Sequence, residues 1–129
     1  MMVQSTNDHD QLSGVRVLVV EDDALLAMDL EATLVEAGAV VVGLCQTLDE
    51  AMLRADAADF AVAVLDFGLG SETVSPVARR LVNRGIPFIL HTGKSRHEPS
   101  LAEWRDYSIV GKPASPRALV SAVRTALLR

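Results

Sequence analysis

Short runs of β-branched and aliphatic residues recur along this chain, each ending at a polar or glycine-rich break and each followed by a stretch with helical spacing. Val15 to Val20 (VRVLVV), Ala39 to Leu44 (AVVVGL), Phe60 to Leu65 (FAVAVL) and Ile86 to Leu90 (IPFIL) are such runs, with a shorter one at Tyr107 to Val110. Near-continuous apolar runs of this length suit strands covered on both faces. Between them, Leu26, Leu30 and Leu34, widened by Met28 and Val35, predict an amphipathic helix over Asp23 to Ala37 that Gly38 stops. Thr47 to Ala57 reads as a helix with Thr47 and Glu50 as a capping box. Val74, Val77, Ala78 and Leu81 mark a third, with Pro76 in its first turn, and Leu119, Val120, Val123 and Leu127 a last one over Ser115 to Leu128. His91 to Ser100 is turn-rich, and only a short helix fits between Pro99 and Trp104. Strands alternating with helices predict an α/β fold, a doubly wound five-stranded parallel sheet with helices on both faces, because parallel neighbours need right-handed crossovers.

The 129 residues suit one domain with a core of its own. Residues 1–13 (MMVQSTNDHDQLS) are polar and without period, which predicts a mobile tail before a single folded domain over 14–129, with no output domain after it. An excess of 17 acidic over 12 basic residues disfavours a surface built to neutralise phosphates, so no nucleic-acid partner is expected. The N-terminus lacks the apolar core of a signal peptide and no apolar run reaches the roughly 20 residues that span a bilayer, so a cytoplasmic protein with no membrane partner is expected. Cys45, the only cysteine, cannot form an internal disulfide and reads as a small buried side chain.

In open parallel sheets, ligands bind beyond the carboxyl ends of the strands. The first strand ends in Glu21, Asp22 and Asp23, the third in Asp66, the fourth in His91, Thr92 and Gly93, and the fifth in Gly111, Lys112 and Pro113. If these strands are parallel, carboxylates, a hydroxyl and an ammonium converge at one sheet edge. Clustered carboxylates raise one another's pKa unless a cation is present, and oxygen ligands suit a hard ion such as Mg2+. A carboxylate beside Mg2+, with a hydroxyl and a lysine opposite, has what a phosphoryl acceptor needs: an attacking oxygen and positive charge for the equatorial oxygens.

These motifs resemble the receiver domains of bacterial two-component response regulators, and the likeness runs from about Val15 to Leu128. LVVEDD is similar to the family's acidic pair, taken by Glu21 and Asp22; Asp66 at the end of VAVLD to its phosphorylated aspartate; Thr92 in HTG to its conserved hydroxyl; and Lys112 in GKP to its conserved lysine, whose bond to the following proline is usually cis. The resemblance implies the flavodoxin-like strand order 2-1-3-4-5. It also implies Mg2+ held by Asp22, Asp66, Glu21 and the backbone carbonyl of Gly68, and a phosphoryl group taken onto Asp66 from a sensor histidine kinase or a histidine phosphotransfer protein. Such a domain is a phosphoacceptor in a phosphorelay rather than an enzyme with a separate substrate. Its output is a protein contact, a relay step or a phosphate sink. The family's output face, built from the fourth helix, fifth strand and fifth helix, would here contain Trp104, Tyr107, Arg117 and Arg124, facing a downstream protein or a second copy of the chain. Ile109 stands where the family usually has an aromatic switch residue, and PFILHTG resembles a subgroup of stand-alone alphaproteobacterial receivers with Pro-Phe-x-Phe-Ala-Thr-Gly on this strand.

Plainer readings stand beside these. A lone EDD run is more often a solvated helix start than a metal site, and it is the matching strand ends that favour the site. Asp66-Phe67-Gly68 imitates a kinase motif, but the glycine-rich loop and catalytic HRD sequence are absent. His97-Glu98 lacks a second zinc-binding histidine, and EDDALL offers no phosphate-binding glycine loop. Arg79, Arg80 and Arg84 read as a solvated face, and His91 as a strand-end residue. An interaction module that signals by binding alone, without phosphorylation, is the competing function.

Overall fold

A computed structural model describes residues 11–57, 59–95 and 97–128. The chain forms β1 (Arg16–Val20), α1 (Ala24–Glu36), β2 (Val40–Cys45), α2 (Leu48–Ala55) and β3 (Val62–Asp66). A small antiparallel hairpin of β4 (Gly68–Leu69) and β5 (Glu72–Thr73) follows, then α3 (Ser75–Arg84), β6 (Phe88–Thr92), a 3₁₀ segment (Pro99–Trp104), β7 (Ile109–Gly111) and α4 (Pro116–Leu127). Among the described residues the main sheet has five parallel strands in the order β2-β1-β3-β6-β7. Without the β4–β5 hairpin this is the expected 2-1-3-4-5. Every residue of β3 and β6 is buried, which is why those strands read as unbroken apolar runs.

Two cores flank the sheet. Leu18, Leu65, Leu90 and Phe88 pack with Ala51, Val77, Leu81 and Trp104 on one side; Val17, Val19, Val64 and Ile89 pack with Leu30, Leu34, Leu119 and Val123 on the other. Adjacent strand residues thus serve opposite layers, as the twofold alternation of a strand requires. No helix among the described residues is long and apolar enough to cross a membrane.

The helix ends follow local chemistry. Asp23 Oδ1 accepts from the N–H groups of Leu25 and Leu26 at 2.9 and 3.1 Å, capping α1. Thr47 Oγ1 accepts from Glu50 N–H at 3.1 Å, while Glu50 Oε1 accepts from Gln46 N–H at 3.0 Å, one residue before the usual capping-box donor. Gly85, at φ +71°, ends α3 in the left-handed conformation that lets its N–H reach back to Val82 O.

Several expectations are corrected. Residues 1–10 of the expected tail lie outside the described residues, but the folded unit begins before Gly14. Leu12 is fully buried against the α1–α4 layer and its N–H donates to Ala37 O at 2.8 Å. The fourth sheet strand is shifted from Ile86–Leu90 to Phe88–Thr92, which takes His91 and Thr92, expected just past its end, into its last two positions. The stretch 67–72, expected as a plain loop, contains β4 and the first of the two residues of β5. Of the α3 arginines, Arg79 and Arg80 lie on an exposed face, as expected, though paired with acids, and Arg84 is partly buried. Arg79 forms a two-pronged pair with Glu103, both contacts at 2.9 Å; Arg80 pairs with Asp56; and Arg84 donates to the carbonyls of Ala55 and Ala57 at the end of α2.

Candidate functional site

Parallel pairing in register sets the site. β1 and β3 are neighbours, with Val20 opposite Leu65, so Glu21 and Asp66, each one residue further on, leave the sheet side by side. β6 lies on the other flank of β3, with Asp66 opposite His91, which puts Thr92 one step beyond. β7 follows, with Thr92 opposite Gly111, and Lys112 N–H donates to Thr92 O at 2.8 Å. Residues 91 positions apart in sequence therefore meet: Lys112 Nζ donates to Asp66 Oδ1 at 2.9 Å and to Glu21 Oε1 at 3.2 Å. Carboxylate oxygens of Glu21, Asp22 and Asp66 all lie within 4.8 Å of one another. The expected convergence is present, and the Lys112–Pro113 bond is cis, as the resemblance implied.

The three acids sit in unlike environments. Glu21 is 1% exposed and Asp66 6%, whereas Asp22 is exposed. Burial and the neighbouring Glu21 push the Asp66 carboxyl up to about 7 against the pull of Lys112. The Gly70 N–H, 2.9 Å from Asp22 Oδ2, holds Asp22 below the usual carboxylate range. That bond ties the tip of the β4–β5 hairpin to the site, and the tip turns at Gly70 with φ +64°, a conformation that side chains disfavour. Burial works to lower the Lys112 pKa, but its bonds to Asp66 and Glu21 outweigh burial and leave it raised. Thr92 is buried, and its Oγ1 accepts from Lys94 N–H at 3.1 Å; a hydroxyl that accepts in this way still carries a hydrogen to give. Gly68 opens β4 two residues past Asp66 and has no neighbour within 4 Å of where a Cβ would stand, so space beside the acids stays open.

The hairpin clamp on Asp22 was not foreseen, although the glycine-rich DFGLGSE was its sequence signal. The expected output face also changes. Trp104 is 2% exposed; its ring packs edge-on against Phe88 and Tyr107, and its Nε1–H donates to Ser75 Oγ at 3.0 Å. Tyr107 stacks on Phe88 and remains half-buried at the β7 edge. Arg117 and Arg124 line a recess with Gln11, and Arg124 donates to the Gln11 side chain. They flank the N-terminal segment, while Ala126 is the α4 residue that approaches Tyr107 and Ser108.

No protein-family model matches the sequence, and no curated protein does. Solved structures do. SdrG from Sphingomonas melonis Fr1 is 34% identical over 90% of this chain and 98% of its own, with a TM-score of 0.77. The response regulator PhyR from Brucella abortus is 26% identical over 91% of this chain and 49% of its own, also at 0.77. A response regulator receiver protein from Sinorhizobium medicae WSM419 is 26% identical over 91% of this chain and 97% of its own, again at 0.77. This chain spans about half the length of the PhyR chains from Brucella abortus and Bartonella quintana. With the strand order, the acidic cluster and the lysine at the adjoining strand end, these likenesses lead to one conclusion: the chain belongs to the response regulator receiver family.

Proposed function

We propose that this chain is a cytoplasmic, Mg2+-dependent phosphoacceptor in which Asp66 takes a phosphoryl group from a phosphohistidine on a sensor histidine kinase or histidine phosphotransfer protein. The observation that carries this reading is the meeting of Lys112 Nζ with both Asp66 and Glu21 inside a cluster that also holds Asp22. Three clustered carboxylates face one ammonium, which contacts two of them, so negative charge is in excess, and their oxygen-only donors fit a hard divalent cation. Asp22, Asp66 and Glu21 would hold Mg2+, with the Gly68 carbonyl as the remaining candidate ligand. When bound, the ion offsets negative charge on the transferring group and on the acids around it.

The chain's own residues supply the rest. An Asp66 carboxylate oxygen attacks phosphorus, the P–N bond breaks with its electron pair going to the donor imidazole, and an acyl phosphate forms on Asp66. Lys112, already on Asp66, offers its ammonium to a phosphoryl oxygen, and Thr92 offers its hydroxyl hydrogen to another. The acceptor is consumed and restored by hydrolysis or onward transfer, so no separate substrate is turned over. The phosphorylated form signals by protein contact, or serves as a relay step or phosphate sink. Its outgoing surface lies at the β7 edge around Tyr107, without the buried Trp104.

Incubation with acetyl phosphate and Mg2+ is expected to add one phosphoryl mass to the intact protein, and Asp66→Asn or chelation of the metal to abolish it. An adduct that survives Asp66→Asn, or none with several donors, contradicts the reading.

A further inference from the structure

On the sheet face away from α2 and α3, a cavity of about 490 Å3 opens between α1 and the β7–α4 connection. Its walls are mainly apolar, formed by Leu26, Leu30, Pro113, Pro116 and Leu119, and His91 lines it from β6. Strand alternation turns His91 toward the layer that also holds Ile89, opposite to Thr92. The imidazole is 6% exposed, and neither of its nitrogens has a hydrogen-bond partner among the described residues. Buried polar groups are normally paired, because an unmet donor or acceptor costs about 1–3 kcal/mol. Mainly apolar walls, a volume within the roughly 300–1,000 Å3 of small-molecule sites, and a buried imidazole with bonding capacity to spare, beside the half-buried Thr33 hydroxyl, together form a ligand pocket.

We propose that this cavity binds a neutral small molecule with a compact apolar body and a single hydroxyl-type head that pairs with His91. Neutrality follows from the lining, whose mainly apolar walls would leave a charge of either sign poorly solvated. Asp29 disfavours an anion, while the Lys112 ammonium is engaged by Asp66 and Glu21 and lends the cavity only its methylene stem. Both imidazole nitrogens are covered in the observed orientation, and a half-turn about χ2, a torsion with broad twofold wells, exchanges them with the ring carbons. A bound molecule lies against Lys112 and beside the residue before Thr92, so occupancy bears on the phosphoryl site. That consequence alone rests on the phosphoacceptor reading; binding itself needs neither Mg2+ nor a phosphodonor.

The test titrates phenol, and toluene as its hydroxyl-free analogue, into the metal-free full chain, followed by methyl and imidazole NMR. Phenol is expected to shift the Leu26, Leu30 and Leu119 methyls saturably and to move the His91 ring nitrogen resonances. Toluene is expected to bind at least about fivefold more weakly, the fold-change of one hydrogen bond. His91→Leu should erase that difference, and Leu26→Trp, which fills the mouth, should abolish binding of both. Absence of saturable shifts, equal affinity for the two probes, or phenol binding undisturbed by Leu26→Trp overturns the proposal. If His91→Leu does not fold, the probe comparison on the unmodified chain and Leu26→Trp decide.

Discussion

Asp66 shows how much one side chain's environment governs. Its folded-state pKa of about 7 lies well above that of an exposed aspartate, so the folded protein holds a proton that the unfolded chain releases. The stability from this group is fully present below about pH 4 and is lost as pH rises through about 7. Asp22 has the opposite sign, since its depressed pKa gives a contribution that is lost only on acidification. Urea unfolding of the metal-free protein should therefore show a higher midpoint at pH 5 than at pH 8, and Asp66→Asn should flatten that difference and raise the midpoint at pH 8. A midpoint independent of pH in both proteins would mean that Asp66 is not crowded by Glu21. Trp104 makes a second residue-scale case. Trp104→Phe removes the donor to Ser75 Oγ while keeping the aromatic packing, and is expected to cost about 1–2 kcal/mol in chemical denaturation. The family resemblance placed Trp104 on an output face, and sequence alone did not contradict it, because a short 3₁₀ segment does not announce which side it turns inward.

Elements were legible where their periodicity was long. The Leu26, Leu30, Leu34 stripe identified α1, and Asp23 its cap; the runs VRVLVV and FAVAVL identified strands covered on both sides. What stayed hidden depends on partners distant in sequence. Leu12 reads as part of a polar tail because its neighbours are polar, and only its fit against Ala37 makes it core. The β4–β5 hairpin has two-residue strands, too short for any alternation to show, and it is fixed by Gly70 on Asp22. Arg84 looks solvated until the end of α2 is placed beside it. Arg84→Met should accordingly destabilise the fold by about 1–3 kcal/mol, because it strips the charged donor from the carbonyls that end α2. A substitution on a merely solvated face would stay within about 0.5 kcal/mol.

At the scale of the whole molecule, the site exists because the sheet order puts β1, β3, β6 and β7 where their carboxyl ends share one edge. The acids, threonine and lysine could be read from sequence because each lies within two residues of the end of an apolar run. Their distances could not, since those depend on register: a slip of one residue between β1 and β3 would turn Glu21 away from Asp66. If the carboxylates share a cation, Mg2+ should raise the melting temperature of the unmodified protein, and by less in Asp22→Asn, which keeps the fold but loses a ligand. The most direct measurement is a Mg2+ titration followed by backbone amide NMR, on the unmodified chain and on Asp66→Asn. The account predicts saturable shifts gathered at residues 21–23, 66–70, 92–94 and 112, much weakened by the substitution. Shifts spread over other acidic surface, such as Asp49 and Glu50, and indifferent to Asp66→Asn would contradict it.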